Sequence, residues 1–413
     1  MNAKKILLIS QHYQPEPNFI TADVASSLAK AGYSVTVISA HPNYPLGRFY
    51  DTVQSLWPQK TLEQGVWVWR LPFVPDHSHS KLRRFLAYGS FSFMASLFAP
   101  LAQFRPDAVW VYNAPFTTAA ASLFFRYATG SKLALISPDL WPESFEASGV
   151  APSKNILKIM YAYSRWIHTH AHLLVATTRG MKKRYLNDGI DEHHLRLVPL
   201  WVEGSKIAKK PENFQAKQNP DALPTIVYAG NLGPAQGLEA LLEGALLLQN
   251  EKIGVQFDFY GTGSREAFLK ARIAEFNLKN VALKGRVSQE QALKLSQEAT
   301  AQLVHLLPSP LFAMTVPSKL AFCLAMGRPV LLGAPGETAE IAQESGGAIV
   351  FRPGDAQDFA RAVRQLLAMS EEQRNEMGAK ARLYFEAHLN PSVLAEQYVE
   401  LTKALLNGEF NAP

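Results

Sequence analysis

The sequence predicts an α/β fold of two doubly wound domains in tandem, facing a central cleft. Two observations carry that expectation. Short apolar, β-branched runs alternate with longer helical patterns along nearly the whole chain, and the alternation restarts after a polar stretch between Glu203 and Pro224. Such runs belong to parallel sheets covered by helices on both faces. A chain of 413 residues also exceeds what one hydrophobic core usually supports.

The first set of strands is expected at Ile6–Ile9, Val35–Ile38, Val66–Leu71, Ala108–Val111, Leu133–Ile136, Leu173–Ala176 and Leu195–Leu200. Ile6–Ile9 follows a short polar start and runs at once into Ser10, Gln11 and His12, so it reads as a buried strand rather than a signal peptide. Asn113 and Asp139 close two of these strands. Polar residues at the carboxyl ends of parallel strands line the ligand crevice of such folds.

The Lys-, Pro-, Asn- and Gln-rich stretch at 204–224 reads as an exposed linker between a first domain at 1–203 and a second at 225–388. The second set of strands is expected at Ile226–Ala229, Val255–Tyr260, Val281–Leu283, Leu303–Leu306, Val330–Leu332 and Ala348–Phe351. A helical pattern from Glu371 to Leu406 is broken at Asn390-Pro391. The residues from 389 to 413 then form a terminal helix, which in folds of this kind crosses back onto the first domain.

Composition excludes several function classes. Apolar residues make up 47% and charged residues 18%, ordinary for a folded chain and not for a disordered one. The single cysteine, Cys323, can build neither a disulfide framework nor a Cys-based zinc site within one chain, and fits a reducing compartment. The net charge of +6 comes without a long Lys/Arg run, which argues against nucleic acid as a partner. His12, His41, His168, His170, His172, His193 and His194 are scattered or flank strands, and read as surface or packing residues rather than metal ligands.

From Phe85 to Phe104 no residue is charged, while Lys81, Arg83, Arg84 and Arg105 flank the segment. Gly89, Ser90, Ser92, Ser96 and Pro100 dilute it too much for a membrane span. Two readings stay open. The segment docks in the plane of an anionic membrane through Phe85, Leu86, Phe91, Phe93, Met94, Leu97 and Phe98, or it is a core helix.

Gly230-Asn231-Leu232-Gly233 follows a strand and precedes a helix starting near Leu238, and Gly261-Thr262-Gly263-Ser264 repeats that position after the next strand. Glycine lets a phosphate approach the backbone at a helix N-terminus, although a tight turn without a ligand has the same residues. Neither turn completes the three-glycine dinucleotide fingerprint, so hydride transfer is disfavoured. Ser318 is placed to cap a helix ending at Met326, and Lys319 then lies where a cation opposes the helix dipole. A bound anion would resolve that conflict, as would a side chain that turns away. Asp139, Trp141 and Glu143 form a trio that suits an acceptor sugar, with Asp139 otherwise a cap for the following turn.

Taken together, Ala40-His41-Pro42-Asn43-Tyr44-Pro45, Asp139-Leu140-Trp141-Pro142-Glu143-Ser144, Gly230–Gly233 with Gln236-Gly237-Leu238, and Pro317-Ser318-Lys319-Leu320 with Gly327-Arg328-Pro329-Val330 resemble glycosyltransferase family 4 of the GT-B fold. The likeness is to the branch with colanic-acid-type and L-fucosamine-type bacterial transferases, and covers nearly the whole chain. It implies retaining transfer of a sugar, a deoxy or N-acetylated deoxyhexose, from a UDP- or GDP-sugar. The implied acceptor is a polyprenyl-diphosphate-linked glycan of O-antigen, capsule or exopolysaccharide synthesis, at the cytoplasmic face of the plasma membrane. No metal or other cofactor is implied.

By the same resemblance, Gly230, Asn231, Gly233 and Gln236 lie at the donor diphosphate, with Gly261 and Gly263 nearby, Arg286 and Val287 beside the base, and Ser318 and Lys319 as further phosphate contacts. Lys319 is expected to carry the departing charge and Asp139 to position the acceptor. Glu16, Asn18, His41, Asn43, Trp141 and Glu143 fall on the acceptor side. The chain departs from the family where two glutamates are usual, at Met314 and Phe322, and Glu337 and Glu340 are the nearest replacements for a ribose-gripping carboxylate. The wider family also carries an arginine and a lysine around the first glycine turn, where Asn231 and Gln236 stand here. Two other readings compete: a sugar-nucleotide epimerase on the same scaffold, and a non-catalytic binding subunit.

Overall fold

A computed structural model describes residues 3–53, 55–76, 81–101, 104–144, 153–203, 207 and 223–410. The chain divides into one unit of Met1–Leu200 with Pro391–Pro413 and a second of Trp201–Asn390. Of the expected linker, only Ile207, Leu223 and Pro224 lie among the described residues.

The first unit is built on β1 (Lys5–Ile9), β2 (Ser34–Ala40), β3 (Gln59–Glu63), β4 (Val66–Leu71), β5 (Ala108–Tyr112), β6 (Lys132–Ser137), β7 (Leu173–Ala176) and β8 (Leu195–Leu197), in the order β3-β4-β2-β1-β5-β6-β7-β8. All neighbours pair in parallel except β3 with β4. β3, which the apolar pattern does not reveal, is a polar edge strand turned back onto β4 through Gln64 and Gly65, both at positive φ. Ile6 to Ile9 are fully buried, as a central strand covered on both faces must be.

The Pro391–Asn407 helix packs on the Phe19–Lys30 helix, and Trp110 Nε1 of β5 donates to Thr402 Oγ1 at 2.9 Å. Asn390-Pro391 breaks the preceding helix, which ends at His388. Proline cannot continue a helical ladder, so the chain redirects there.

The segment forms the helix Lys81–Leu101, with one face in the core and apolar side chains exposed elsewhere. Ala87, Phe91, Ala95 and Ala99, four residues apart, are buried on one face. Phe98 packs against Trp69 with ring centroids 4.8 Å apart and planes tilted by 57°, while Leu86, Phe93 and Leu97 are 49%, 62% and 51% exposed. The side chains of Lys81, Arg83, Arg84 and Phe85 lie outside the described residues.

The second unit carries β9 (Thr225–Ala229), β10 (Gln256–Tyr260), β11 (Val281–Gly285), β12 (Ala301–His305), β13 (Val330–Gly333) and β14 (Ala348–Val350), all parallel in the order β11-β10-β9-β12-β13-β14. Alternate side chains feed two cores. Leu303 and Leu331 join a cluster with Leu241, Phe359 and Val363, whereas Val304, Val330 and Leu332 join Leu320, Leu324 and Phe385 on the other face. Each sheet reverses its strand order at one point, between β1 and β5 in the first unit and between β9 and β12 in the second. Ligands of open α/β sheets bind outside the carboxyl ends of strands at such points.

Candidate functional site

In the second unit the Gly230–Gly233 turn leaves β9 at the switch point. Gly230 N donates to Tyr260 O at 2.8 Å and Leu232 N to Thr262 O at 2.9 Å, so the second glycine turn braces the first. A Cβ on Gly261, whose φ is +136°, would overlap the carbonyl oxygen of Gly230, and one on Gly263 would overlap that of Leu232. These two glycines are therefore required by the close approach of two backbones, not by a ligand of their own.

Gln236 ends a short turn from Pro234, and its Oε1 accepts from Gly233 N at 3.1 Å and Asn231 Nδ2 at 3.4 Å. The Asn231 side chain faces solvent. Lys319 arrives from the opposite side of the switch point. Its Nζ lies 3.5 Å from the Tyr228 ring centroid, and a Cβ at Gly230 would overlap its Nζ and Cε. Tyr228 in turn donates its hydroxyl hydrogen to Asn231 O at 2.7 Å. Desolvation pushes the Lys319 ammonium down to about 8, and no carboxylate among the described residues offsets it. A desolvated cation beside a glycine turn has the charge and the open backbone that an anion would need.

The structure corrects one local expectation. Pro317, in an extended conformation, is the N-cap of the Ser318–Ala325 helix, so Ser318 is its first helical residue and makes no capping bond. Proline offers no side-chain acceptor, so the first N–H groups of that helix receive no side-chain cap. Lys319 thus sits one residue deeper in the first turn. Arg286 is exposed just past β11, and Val287 packs with Val227 and Tyr260. Glu337 is buried and Glu340 exposed in the first turn of the Glu337–Glu344 helix. That turn abuts the segment carrying Met314, since Thr338 Oγ1 donates to Thr315 O at 3.2 Å and a Cβ on Gly336 would overlap Ala313. Phe322 is part of the apolar packing.

In the first unit a recess of about 170 Å³ opens at the β1/β5 switch point, lined by Gln11, His12, Asn43, Tyr44, Asp76, Tyr88 and Trp141 among others. Trp141 stacks on Phe116 at 5.7 Å and meets Tyr88 edge-on at 6.2 Å, which makes an aromatic wall. Gln11 is 2% exposed, and its Oε1 has no hydrogen-bond partner among the described residues. A buried acceptor without a donor is rare unless a ligand supplies one.

Of the expected acceptor-side residues, Asn43 and Trp141 line this recess, and Glu16 and Asn18 hold the loop after β1 that carries Gln11 and His12. Glu16 accepts five bonds: from Asn43 N, Asn43 Nδ2 and Tyr44 N on one oxygen at 2.7, 2.9 and 2.7 Å, and from Tyr13 N and the His12 ring on the other at 3.2 and 3.3 Å. It clamps the loop after β1 to the loop after β2. Asn18 precedes the Phe19–Lys30 helix and donates to His12 O at 3.0 Å. His41 is buried with Nε2 donating to Trp57 O at 3.2 Å, and burial lowers its pKa. Glu143 is paired with Arg184 at 3.1 Å. Asp139 keeps an exposed surface just beyond β6, yet desolvation by the surrounding protein raises its carboxyl pKa.

Sequence reasoning missed His305, Gln11, Asp76 and Tyr88. His305 closes β12 as Asn113 and Asp139 follow β5 and β6, and a polar residue ending an apolar strand was signal enough to include it. Among the described residues no three His, Cys, Asp or Glu side chains converge as metal ligands would, and no helix is long and apolar enough to cross a membrane.

Comparison with known proteins accords with this architecture. Residues 17–201 match the glycosyl transferase 4-like domain and residues 209–384 the glycosyl transferases group 1 domain. The putative colanic acid biosynthesis glycosyl transferase WcaI of Escherichia coli (strain K12) is 25% identical over 411 residues, 96% of this chain and 98% of that protein. Among solved structures, sucrose-phosphate synthase (tll1590) from Thermosynechococcus elongatus superposes with a TM-score of 0.73 at 17% identity, over 98% of this chain and 100% of that one. Anabaena Alr3699/HepE in complex with UDP follows at 0.69 and 12% identity, over 97% and 100%. Both halves of the chain thus match glycosyltransferase domains in order, and the chain belongs to the GT-B glycosyltransferases, family 4-like, as an enzyme of that class.

Proposed function

We propose that this enzyme moves a sugar from a UDP- or GDP-sugar held by its second unit to a polyprenyl-diphosphate-linked glycan received by its first, in the synthesis of a cell-surface polysaccharide. The observation that carries this reading is Lys319, a desolvated ammonium with no carboxylate partner among the described residues, that lies against the Gly230–Gly233 turn. A departing diphosphate needs positive potential where its charge develops. The WcaI relative is described as a colanic acid biosynthesis enzyme, and the HepE structures hold UDP and UDP-glucose, which makes UDP-sugars the first donors to test.

In the proposed step the bond from the donor's anomeric carbon to the diphosphate oxygen breaks while the acceptor hydroxyl oxygen bonds to that carbon on the same face, so the anomeric configuration is retained. The proton goes to the leaving diphosphate, and no metal takes part. Lys319 stabilises that diphosphate, Ser318 and the Gly230–Gly233 backbone hold it, Arg286 and Val287 border the base, and Glu337 takes the role of the absent ribose-gripping glutamate. Trp141 supports the acceptor sugar, and Asn43 and Asp139 orient it.

The acceptor lipid requires a membrane, and charge supports docking through the first unit. Residues 77–187 hold thirteen Lys/Arg against only Asp107, Asp139, Glu143 and Glu146, whereas the whole chain has 41 against 35. In addition to the exposed Leu86, Phe93 and Leu97, the Lys154–Thr169 helix exposes Ile156, Ile159 and Trp166 with Lys154, Lys158 and Arg165, and contains no acid. Basic residues interleaved with exposed apolar ones fit an anionic leaflet.

The test incubates purified protein with UDP- and GDP-sugars and polyprenyl-diphosphate-linked glycans, and reads product mass and anomeric configuration. One lipid-linked glycan longer by one sugar, absent with Lys319→Met, is expected. A protein that epimerises the nucleotide sugar without acceptor, or turns over none of the donors, overturns the reading. Flotation with anionic vesicles tests docking, which Phe93→Asp with Ile159→Asp should abolish; undiminished flotation contradicts it.

A further inference from the structure

His305 stands at the carboxyl end of β12, directly across the switch point from the Gly230–Gly233 turn, and is 2% exposed. Its Nδ1 lies 2.6 Å from Gln236 O, and its Nε2 accepts from Gly354 N at 2.9 Å. A carbonyl can only accept and a backbone N–H can only donate, so the two partners fix the neutral tautomer with hydrogen on Nδ1. The ring is clamped flat against Phe351, with centroids 5.7 Å apart and planes 6° apart, in space left by the missing side chain of Gly333.

The next residues reinforce the same contact. Leu307 N donates to Ala235 O at 2.9 Å, and the Leu307 side chain fills the space where Gly237, at φ +50°, has no Cβ. The end of β12 therefore holds the backbone of Ala235, Gln236 and Gly237, while the Gln236 side chain holds Gly233 N and Asn231. Nothing else described links His305 to the glycine turn.

We infer that His305 is a positioning residue for the donor diphosphate, acting through the Gln236 carbonyl to set the Gly230–Gly233 turn against Lys319. The inference rests on the reading of that turn as the diphosphate site. His305 touches no part of the donor itself, and its effect falls on binding of the diphosphate rather than on acceptor use.

Two substitutions separate this role from simple packing. In His305→Asn the side-chain amide reproduces the Nδ1 donor to Gln236 and abandons Gly354, whereas in His305→Gln the amide oxygen reproduces the Nε2 acceptor for Gly354 and abandons Gln236. UDP and GDP are titrated calorimetrically into wild type and both variants, alongside thermal melts. The expected result is affinity within about threefold of wild type for His305→Asn and a loss of about tenfold or more for His305→Gln, at similar melting temperatures. Equal losses in the two variants, or no loss in His305→Gln, overturn the inference. If neither variant folds, 15N-histidine spectra of the wild type decide: a Nδ1-protonated His305 whose signals move on saturation with nucleotide supports the role, and unmoved signals refute it. A wild type that binds neither nucleotide removes the donor-site reading itself, and the inference with it.

Discussion

Raising the pH from 7 to 9.5 should weaken nucleoside diphosphate binding more in the wild type than in Lys319→Met, because Lys319 loses its charge over that range. Its ammonium is held down to about 8 by desolvation, with no carboxylate to restore it. At pH 7 the free protein carries this charge almost fully; at pH 9.5 only about one molecule in 30 does. A diphosphate binds the charged form and must first recharge the lysine, so its dissociation constant rises about 30-fold, or roughly 2 kcal/mol. Free of ligand, the sign is opposite. The folded pKa lies below the unfolded 10.5, so between 8 and 10.5 the unfolded chain binds more protons and the lysine's contribution to stability grows with pH. Calorimetry in two buffers of different ionisation enthalpy measures both the affinity and the proton taken up near pH 9. Lys319→Met should bind weakly at every pH and take up fewer protons than the wild type. A dissociation constant that stays flat from pH 7 to 9.5, or a Met variant that binds like wild type, refutes the assignment.

Gly261→Ala should cost at least about 2 kcal/mol in urea melts and weaken nucleotide binding, because its Cβ meets the Gly230 carbonyl at a φ of +136°; near-wild-type stability would mean the two turns are not braced on each other. Glu16→Gln should lower stability by about 2–4 kcal/mol, since one amide cannot accept the five bonds this carboxylate receives. A change in acceptor KM without loss of stability would instead make Glu16 a contact. Burial holds His168 and His172 down to about 4, and His172 Nδ1 already accepts from Leu133 N at 3.0 Å. Their folded pKa lies below the unfolded 6.5, so stability should fall as pH drops from 6.5 toward 4, by up to about 1.4 kcal/mol per unit for each ring. His168→Gln should flatten part of that loss, and an unchanged slope would place the acid sensitivity elsewhere.

What the sequence made legible follows from how each feature is encoded. Strands buried on both faces announce themselves as apolar runs, and Asn390-Pro391 breaks a helix whatever its surroundings. β3 has no such mark, because Gln59–Glu63 is a polar edge strand held by its partner. The glycine turns could be located, but only the packing of Gly261 on Gly230 distinguishes a brace from a ligand contact. Glu16 and Glu143 looked available in sequence because their partners, Asn43 and Arg184, lie 27 and 41 residues away. Lys319 was marked by its conflict with a helix N-terminus, while its seat over Tyr228 depends on a residue 91 positions earlier in the chain. His305 carried the mark of a polar residue ending an apolar strand, but its hydrogen bonds to Gln236 and Gly354 reach turns far from it in sequence, so its tie to the glycine turn was not legible.

The central claim, a nucleotide-sugar donor site built on Lys319 and the Gly230–Gly233 turn, is tested most directly by thermal stability of the purified protein with UDP, GDP, TDP and CMP. One diphosphate should stabilise the wild type, by about 2.7 kcal/mol at a hundred times its dissociation constant, and stabilise Lys319→Met by less than half as much at the same concentration. No shift with any of the four at millimolar concentration, or an equal shift in the variant, would contradict the account.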